Sequence, residues 1–581
     1  MKEKERGQGQ TFLKGALVLG CANLIVKIIG ALFKVPLYDV LEESGSGLFN
    51  VAYQIYTFMF IIATAGFPIA ISKMVAESIA KGDQRDAKRI FETAFLLLGI
   101  IGIIGSTVLF TCARPLANML GNSDADLVIQ AISPAVFFVA MVSAFRGYFQ
   151  GRQNMYPTAA SEIIEASAKL GIGLVLAIFA ANMTVNPALN AMADWAGRQV
   201  ISSDVQLQFE ASGAILGVTV GTLLSFLLLL TVYAFQRRKR EKLPVINARS
   251  KWSILKNLVI IAIPITIGAS VSSLTSLIDL ATVMNRLQVN PAVFDNYNYL
   301  FAEGTEFAKN AVDNAWTAAQ ILEKKANSLY GMYTGQAMTM FNLPLTLVVA
   351  LGMSVVPAIS ALLTKEDKLG ARKMTESVLR ITGLFAMPCA IGMSVLSEPI
   401  LSFLFRNPDG AMVLQKLSIA VIFVSMVSVT NAVLQAYGKV YYPVVNMIVG
   451  GAAKVIINYF FIPVWGIDGA PIATIVCYAI IAVLNIACII RVVKIKYNIM
   501  DMIIKPLLSA LIMGLAAWGI AGLLGGVISS GRLCTVTAIC VGGIVYVLAI
   551  FLLRAVRKED VLMLPKGTML AGMLEKMKLL K

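Results

Sequence analysis

The chain has 581 residues, 58% of them hydrophobic and only 14% charged, with a mean hydropathy of +0.77 and a formal net charge of +16. Soluble domains run at roughly 45–50% apolar and 25% charged, so the composition excludes an ordinary soluble enzyme and predicts an all-α polytopic membrane protein. The basic excess then reads as an insertion and lipid-headgroup signal, with no nucleic-acid partner expected.

A spanning helix needs about 20 mostly apolar residues. Windows of that length predict about fourteen spans, near 12–33, 48–71, 91–112, 127–145, 157–180, 211–235, 257–283, 329–360, 378–397, 412–434, 443–463, 470–490, 503–525 and 533–554. The first is too long for a signal-peptide apolar region and lacks a small-residue cleavage site, so it is expected to stay in the mature protein. With the amino terminus inside, most of the 49 Lys and Arg fall on the cytoplasmic side, chiefly around Arg237-Arg238-Lys239-Arg240 and in the tail after Arg554. That bias predicts both termini in the cytoplasm.

A repeat runs through this array. Ala87-Lys88-Arg89 returns as Ala371-Arg372-Lys373 and Pro115-Leu116 as Pro399-Ile400, while Gln150 and Lys169 return as Gln435 and Lys454 at an offset of 285. Six spans per half is an even number, so the halves are parallel repeats about an axis along the membrane normal, followed by two extra helices. The expected domains are a six-helix bundle over 1–240, a second over 241–500, two additional transmembrane helices over 501–558 and a cytoplasmic tail over 559–581. Lys14 matches Lys256 at an offset of 242, whereas later landmarks lie about 284 apart. The difference, 284 − 242 = 42 residues, places an outer-loop insertion at about 284–328, with an external helix expected over Ala302 to Asn327.

The seven cysteines sit in or beside apolar spans without a CxxC pair, and the chain contains no His. No Ser-His or Cys-His catalytic set and no metal site are expected, so the chain is not read as an enzyme. Charges inside the spans carry more information, because each costs about 2.5–3.5 kcal/mol at a helix centre. Lys27 lies roughly 6 Å from the middle of the first span. Lys169 and Lys454 lie near the centres of the fifth and eleventh.

Glu162, Glu165 and Lys169 share one helical stripe, on which Glu165 can pair with Lys169 as a structural ion pair. Lys27 can also be read as snorkelling toward an interface, although Lys34 suits that role better. Lys454 has only Asn458 within a turn; Asp279 is a candidate charge partner from another helix, or an interfacial residue. The candidate cavity set is Lys27, Lys169, Lys454, Glu165, Asn23 and Asn458. A cavity lined by lysines favours an anionic cargo with a phosphate or pyrophosphate head. Proline and glycine at Gly66-Phe67-Pro68, Pro264, Pro344, Pro357 and Pro388 are candidate hinges. The pairs Gly525-Gly526 and Gly542-Gly543 read either as tight helix packing or as part of a lipid groove.

Several stretches resemble a known family. They are Pro36-Leu37-Tyr38, Gly45-Ser46-Gly47-Leu48-Phe49, Tyr53-Gln54-Ile55-Tyr56, Ala63 to Lys73, Phe145-Arg146-Gly147-Tyr148-Phe149-Gln150-Gly151 and Pro463-Val464-Trp465-Gly466-Ile467-Asp468-Gly469-Ala470. Together they are similar to polysaccharide transporters of the stage V sporulation protein B type and to MurJ-type lipid II flippases, within the multidrug, oligosaccharidyl-lipid and polysaccharide exporter superfamily. The resemblance implies a fourteen-helix flippase moving a lipid-linked saccharide across the bacterial plasma membrane. It also implies a cationic cavity for the pyrophosphate and sugar, and a prenyl-tail groove on the two C-terminal helices. By position Lys27 corresponds to a basic residue of the first helix, and Lys169 to a residue usually found as Arg; lysine keeps the charge but loses the two-pronged geometry. Cell-wall or polysaccharide synthesis enzymes are candidate partners. A coupling cation is a candidate of unassigned identity. A cation-coupled small-molecule exporter and a non-transporting scaffold or scramblase are the competing readings, both disfavoured by paired deep lysines.

Overall fold

The computed structural model describes residues 2–182, 203–238, 249–495, 498–525, 531–557 and 560. Of the sequence expectations, part of the basic stretch after Arg238, Gly526 of its glycine pair and the tail beyond 560 lie outside the described residues. Among the described residues every regular element is helical. Apolar side chains at nearly every turn leave hydrocarbon-facing positions such as Ile103, Ile104, Leu515 and Leu548 exposed, as expected where lipid is the solvent and backbone polar groups must be satisfied within the helix. This is an all-α polytopic membrane protein.

All fourteen windows fall on helices. Among the described residues, ten helices are long and apolar enough to cross a membrane, or eleven with one bent pair counted as a span. The count is lower than fourteen partly because two long apolar stretches, Ile25–Ala80 and Tyr441–Val493, each hold two windows.

The described residues form two compact units, Met1–Gly331 and Met332–Lys581. The first begins with α1 (Lys2–Thr64), a 63-residue element broken at Glu42, whose φ of 53° leaves the right-handed helical region. α2 (Phe67–Ala80) follows a break at Gly66, with Pro68 in its first turn, where the missing N–H costs nothing. Pro264, Pro344, Pro357 and Pro388 instead lie within continuous helix, so Gly66-Phe67-Pro68 is the one interruption among the sequence hinges. Then come α3 (Gln84–Thr111), α4 (Ala113–Met119), α5 (Asp126–Gly151), α6 (Tyr156–Ala181), α7 (Ser203–Arg238) and α8 (Lys251–Leu287). α8 packs on α1, α2 and α3 within the first unit. The packing boundary therefore falls at 331, whereas the sequence repeat begins again near 241. An aromatic knot of Phe91, Phe145, Tyr148 and Tyr233, with ring centroids 4.8–5.8 Å apart, fastens α3, α5 and α7.

The insertion is not a single helix over 302–327. It comprises a 3-10 segment (Pro291–Tyr297), a one-turn helix (Asn298–Phe301), α9 (Glu306–Asp313) and α10 (Ala318–Met332). Gly304 at φ +95° and Ala315 at φ +49° stop helical propagation on either side of α9, and the Thr305 side chain caps the start of α9. Alanine content favours helix locally, but left-handed residues set its boundaries. α10 is tied down within the first unit. Lys324 pairs with Asp124 at 2.5 Å and Asp204 at 3.0 Å, Trp316 donates to Asp204 at 2.6 Å, and Asn327 accepts from Asn122 while donating to the Ser44 carbonyl, both at 2.7 Å.

The second unit opens on a five-residue π-helical turn (Tyr333–Ala337) and continues through α11 (Met338–Thr364), α12 (Lys368–Val395), α13 (Ser397–Leu404), α14 (Ala411–Leu417), α15 (Ala420–Ala436), α16 (Tyr441–Trp465), α17 (Gly469–Val493), α18 (Lys505–Gly525) and α19 (Gly531–Leu552). α18 and α19 pack as a hairpin in which Gly542 faces Ala517, while Gly543 faces open space. Beyond it Asp560 returns to α12, where Arg380 grips it through two hydrogen bonds of 2.7 and 2.9 Å.

Candidate functional site

The site in the first unit is set by how α7 packs on α6. Gly213, Gly217 and Gly221 recur every fourth residue on α7, and a Cβ on any of them would collide with the backbone of α6 at Leu176, Gly173 or Glu165. Small residues at this spacing let two helices approach closely in a bilayer, where packing rather than water drives association. The contact fixes the rotation of α6 and with it the stripe carrying Glu162, Glu165 and Lys169.

Lys169 does not pair with Glu165. Its Nζ donates to the Tyr53 hydroxyl at 2.7 Å and lies 3.9 Å from the centroid of that ring and 5.5 Å from that of Phe33. Tyr53 is backed in turn by Phe49, stacked at 5.6 Å and 15°. Aromatic faces stabilise an ammonium by roughly 0.5–2 kcal/mol and leave its charge in place. Glu165 instead accepts from Arg146 Nη2 at 2.9 Å, and the Arg146 Nε donates to Ser161 at 3.1 Å. The guanidinium is the better partner because it reaches from α5 with fixed, directed donors, whereas lysine one turn along the same helix must bend back. Arg146 is 7% exposed. It was visible in the Phe145-Arg146-Gly147 stretch, but its reach to α6 required the helix pairing.

On α1, Lys27 is exposed and Asn23 half-buried. Lys27 makes no ion pair or hydrogen bond with the other described residues. Lys34, seven residues on and therefore on the same helical face, is half-buried, and its charge opposes that of Lys169. Lys34, which along its own helix suits an interfacial role, therefore belongs with Lys169 in one basic group. Asp279 is buried on α8 at 5% exposure and acts electrostatically on Tyr330, also of the first unit.

Lys454 and Asn458 lie in the second unit on the buried face of α16, at 2% and 0% exposure. One and two turns earlier on that face are Gly450, packed on Ile481 of α17, and Asn446, which donates to Asn485 at 2.8 Å. Asn485 donates onward to Thr430 and Asn431 at 2.9 and 2.7 Å. The structure thus brings Lys34 into the field of Lys169, and sets Lys454 on a buried helix face shared with Asn446 and Asn458.

Comparison with known proteins agrees with this architecture. Residues 12–201 match a family described as polysaccharide biosynthesis protein, and residues 304–542 match the lipid II flippase MurJ family. Lipid II flippase MurJ of Bacillus subtilis (strain 168) is 26% identical over 565 residues, covering 92% of this chain and 94% of the relative. Stage V sporulation protein B of the same organism is 23% identical over 499 residues, covering 85% and 86%. A solved structure of lipid II flippase MurJ in an inward closed conformation superposes with a TM-score of 0.62 at 13% identity, over 92% of this chain and 98% of that one. With the two family matches in succession and relatives aligned along most of its length, the chain is a multi-pass transporter of bacterial membranes, related to the polysaccharide transporters of the stage V sporulation protein B type and to the MurJ flippases.

Proposed function

We propose that this protein moves an undecaprenyl-pyrophosphate-linked saccharide, lipid II or another lipid-linked oligosaccharide, outward across the bacterial cytoplasmic membrane by alternating access, with both termini cytoplasmic. The observation that carries the reading is the state of the deep charges in the first unit. The ammonium of Lys169 is held against aromatic faces without a carboxylate, Lys34 adds to the same field, and the carboxylate Glu165 is neutralised by Arg146. A site that keeps its cations unpaired and its central anion paired favours a diphosphate over a cationic drug. Lys27, exposed on the same face of α1 as Lys34, extends that field along the helix. Lys454 stays in the proposal as the repeat equivalent of Lys169, with the difference that its ammonium must be uncovered before cargo reaches it.

The reading is tested by reconstituting the protein in vesicles and following the outward appearance of an undecaprenyl-pyrophosphate saccharide. Lys169→Ala and Lys27→Ala should each slow it by tenfold or more. Unchanged rates in both variants would overturn the assignment.

A further inference from the structure

We propose that Glu162 is a proton-binding site of the first unit, whose protonation strengthens the hold of the neighbouring lysines on an anionic cargo. The geometry around it is unbalanced. Glu162 and Glu165 lie on one stripe of α6, and among the described residues the guanidinium that reaches them, Arg146, donates its hydrogen bonds to Glu165, Ser161 and Ser225. The Oε2 of Glu162 is sealed from solvent and has no hydrogen-bond partner.

Two further groups beside this carboxylate pair are left in the same condition. The Thr158 hydroxyl, one turn before Glu162 on the same face, is fully buried and unpartnered; the Tyr56 hydroxyl, on α1 and within the fields of Glu165 and Arg146, is 4% exposed and also unpartnered. Orphaned buried polar atoms are uncommon in folded proteins and call for an explanation. A proton supplies one, because it turns a carboxylate that can only accept into an acid that can also donate. It also removes a negative charge whose guanidinium neighbour is already committed to Glu165. The charged and titratable groups facing the site are Arg146 from α5, Glu165 and Lys169 from α6 itself and Tyr53 and Tyr56 from α1, with Ser225 contributed by α7.

Glu162 lies seven residues before Lys169, about 10 Å along the helix. At that distance and an effective dielectric constant near 20, removing one negative charge strengthens the attraction of the lysine site for a monovalent anion by about tenfold. The coupling is reciprocal, so bound anion favours the proton equally. This second step rests on the reading of Lys169 as an anion site; the protonation itself does not.

The test is infrared difference spectroscopy of the full chain in lipid nanodiscs, titrated through the acidic and neutral range in ordinary and heavy water. A carbonyl band of a protonated carboxyl should grow as pH falls, shift on deuteration, disappear in Glu162→Gln and persist in Glu165→Gln. Superimposable titrations of wild type and Glu162→Gln overturn the proposal, as does a band lost equally in both variants. Should Glu162→Gln fail to fold, Thr158→Val removes the orphaned hydroxyl one turn before the acid and should displace the band; an undisplaced band is again a refutation. Adding a nucleotide sugar, whose pyrophosphate diester keeps a constant charge of two over this range, should move the band's midpoint to higher pH by about two units. Loss of the band with lysine-dependent transport intact sinks the proton site alone, and the reverse outcome sinks the transport reading alone.

Discussion

α6 and α16 carry the same residue at repeat-equivalent positions and treat it differently. Lys169 is half-buried, with its ammonium hydrogen-bonded to Tyr53 and seated on aromatic rings. Lys454 is 2% exposed, on a face it shares with Asn458 and Asn446. The partner helices explain the divergence. α6 meets an aromatic row on α1, Phe33, Phe49, Tyr53 and Tyr56, while α16 meets α17, whose Cys477, Ile481 and Asn485 lie on its buried side. Duplication preserved the position of a charge along the helix; the neighbouring helix decided whether that charge sits half-buried on aromatic faces or inside a bundle.

The largest expected effect tests the ion pair beneath Lys169. Glu165→Ala leaves Arg146 buried at 7% exposure without its carboxylate, and should cost about 3–5 kcal/mol, read as a drop in the unfolding midpoint of the detergent-solubilised protein. Loss of under 1 kcal/mol would mean that the pair is more hydrated than its burial indicates. Next comes Lys454→Met, which sets a thioether on the face occupied by Asn458 and Asn446. Stability should fall by about 1–3 kcal/mol, with transport reduced only in proportion to folded protein. Lys169→Met reverses that pattern: a thioether on the same rings offsets most of the lost ammonium contacts, so stability should change by no more than about 1 kcal/mol while flipping slows tenfold or more. Matching profiles for the two lysines would show that the repeat preserved role as well as place, and would erase the distinction drawn between them.

Fold class was legible because it depends on composition and apolar run length, which lipid imposes on every span. The repeat was legible for a related reason, since Lys169 and Lys454 stand out against apolar neighbours. Contacts between helices were not. The Glu165–Lys169 spacing invited an i,i+4 pair, and only the approach of α5 shows that Arg146 wins the carboxylate. The sequence does carry one signal of such a contact: Gly213, Gly217 and Gly221 at four-residue intervals mark a close helix approach and point to α7 as the element that orients the α6 stripe. Lys34 looks interfacial along its own helix, and only the approach of α6 brings it into the field of Lys169. In the insertion, Ala-rich composition gave helix correctly but not its breaks, which follow from single residues at positive φ.

The smallest expected effect sharpens the comparison most finely. Tyr53 offers Lys169 two interactions, a hydroxyl that accepts a hydrogen bond from its ammonium at 2.7 Å and a ring face at 3.9 Å. Tyr53→Phe removes the first and keeps the second, so the ammonium stays near the ring but loses a hydrogen bond worth about 0.5–1.5 kcal/mol. If the hydroxyl only stores the side chain until cargo arrives, its loss makes Lys169 easier to withdraw, and an anionic head group should bind up to several-fold more tightly. If the hydroxyl instead aims the ammonium at the cargo, affinity should fall by a similar factor. Titration calorimetry with a short-chain prenyl-pyrophosphate saccharide separates the two by the sign of the change. No change in either direction would mean that the aromatic faces alone hold Lys169 in place, and that the ring, rather than its hydroxyl, is what α1 contributes to it.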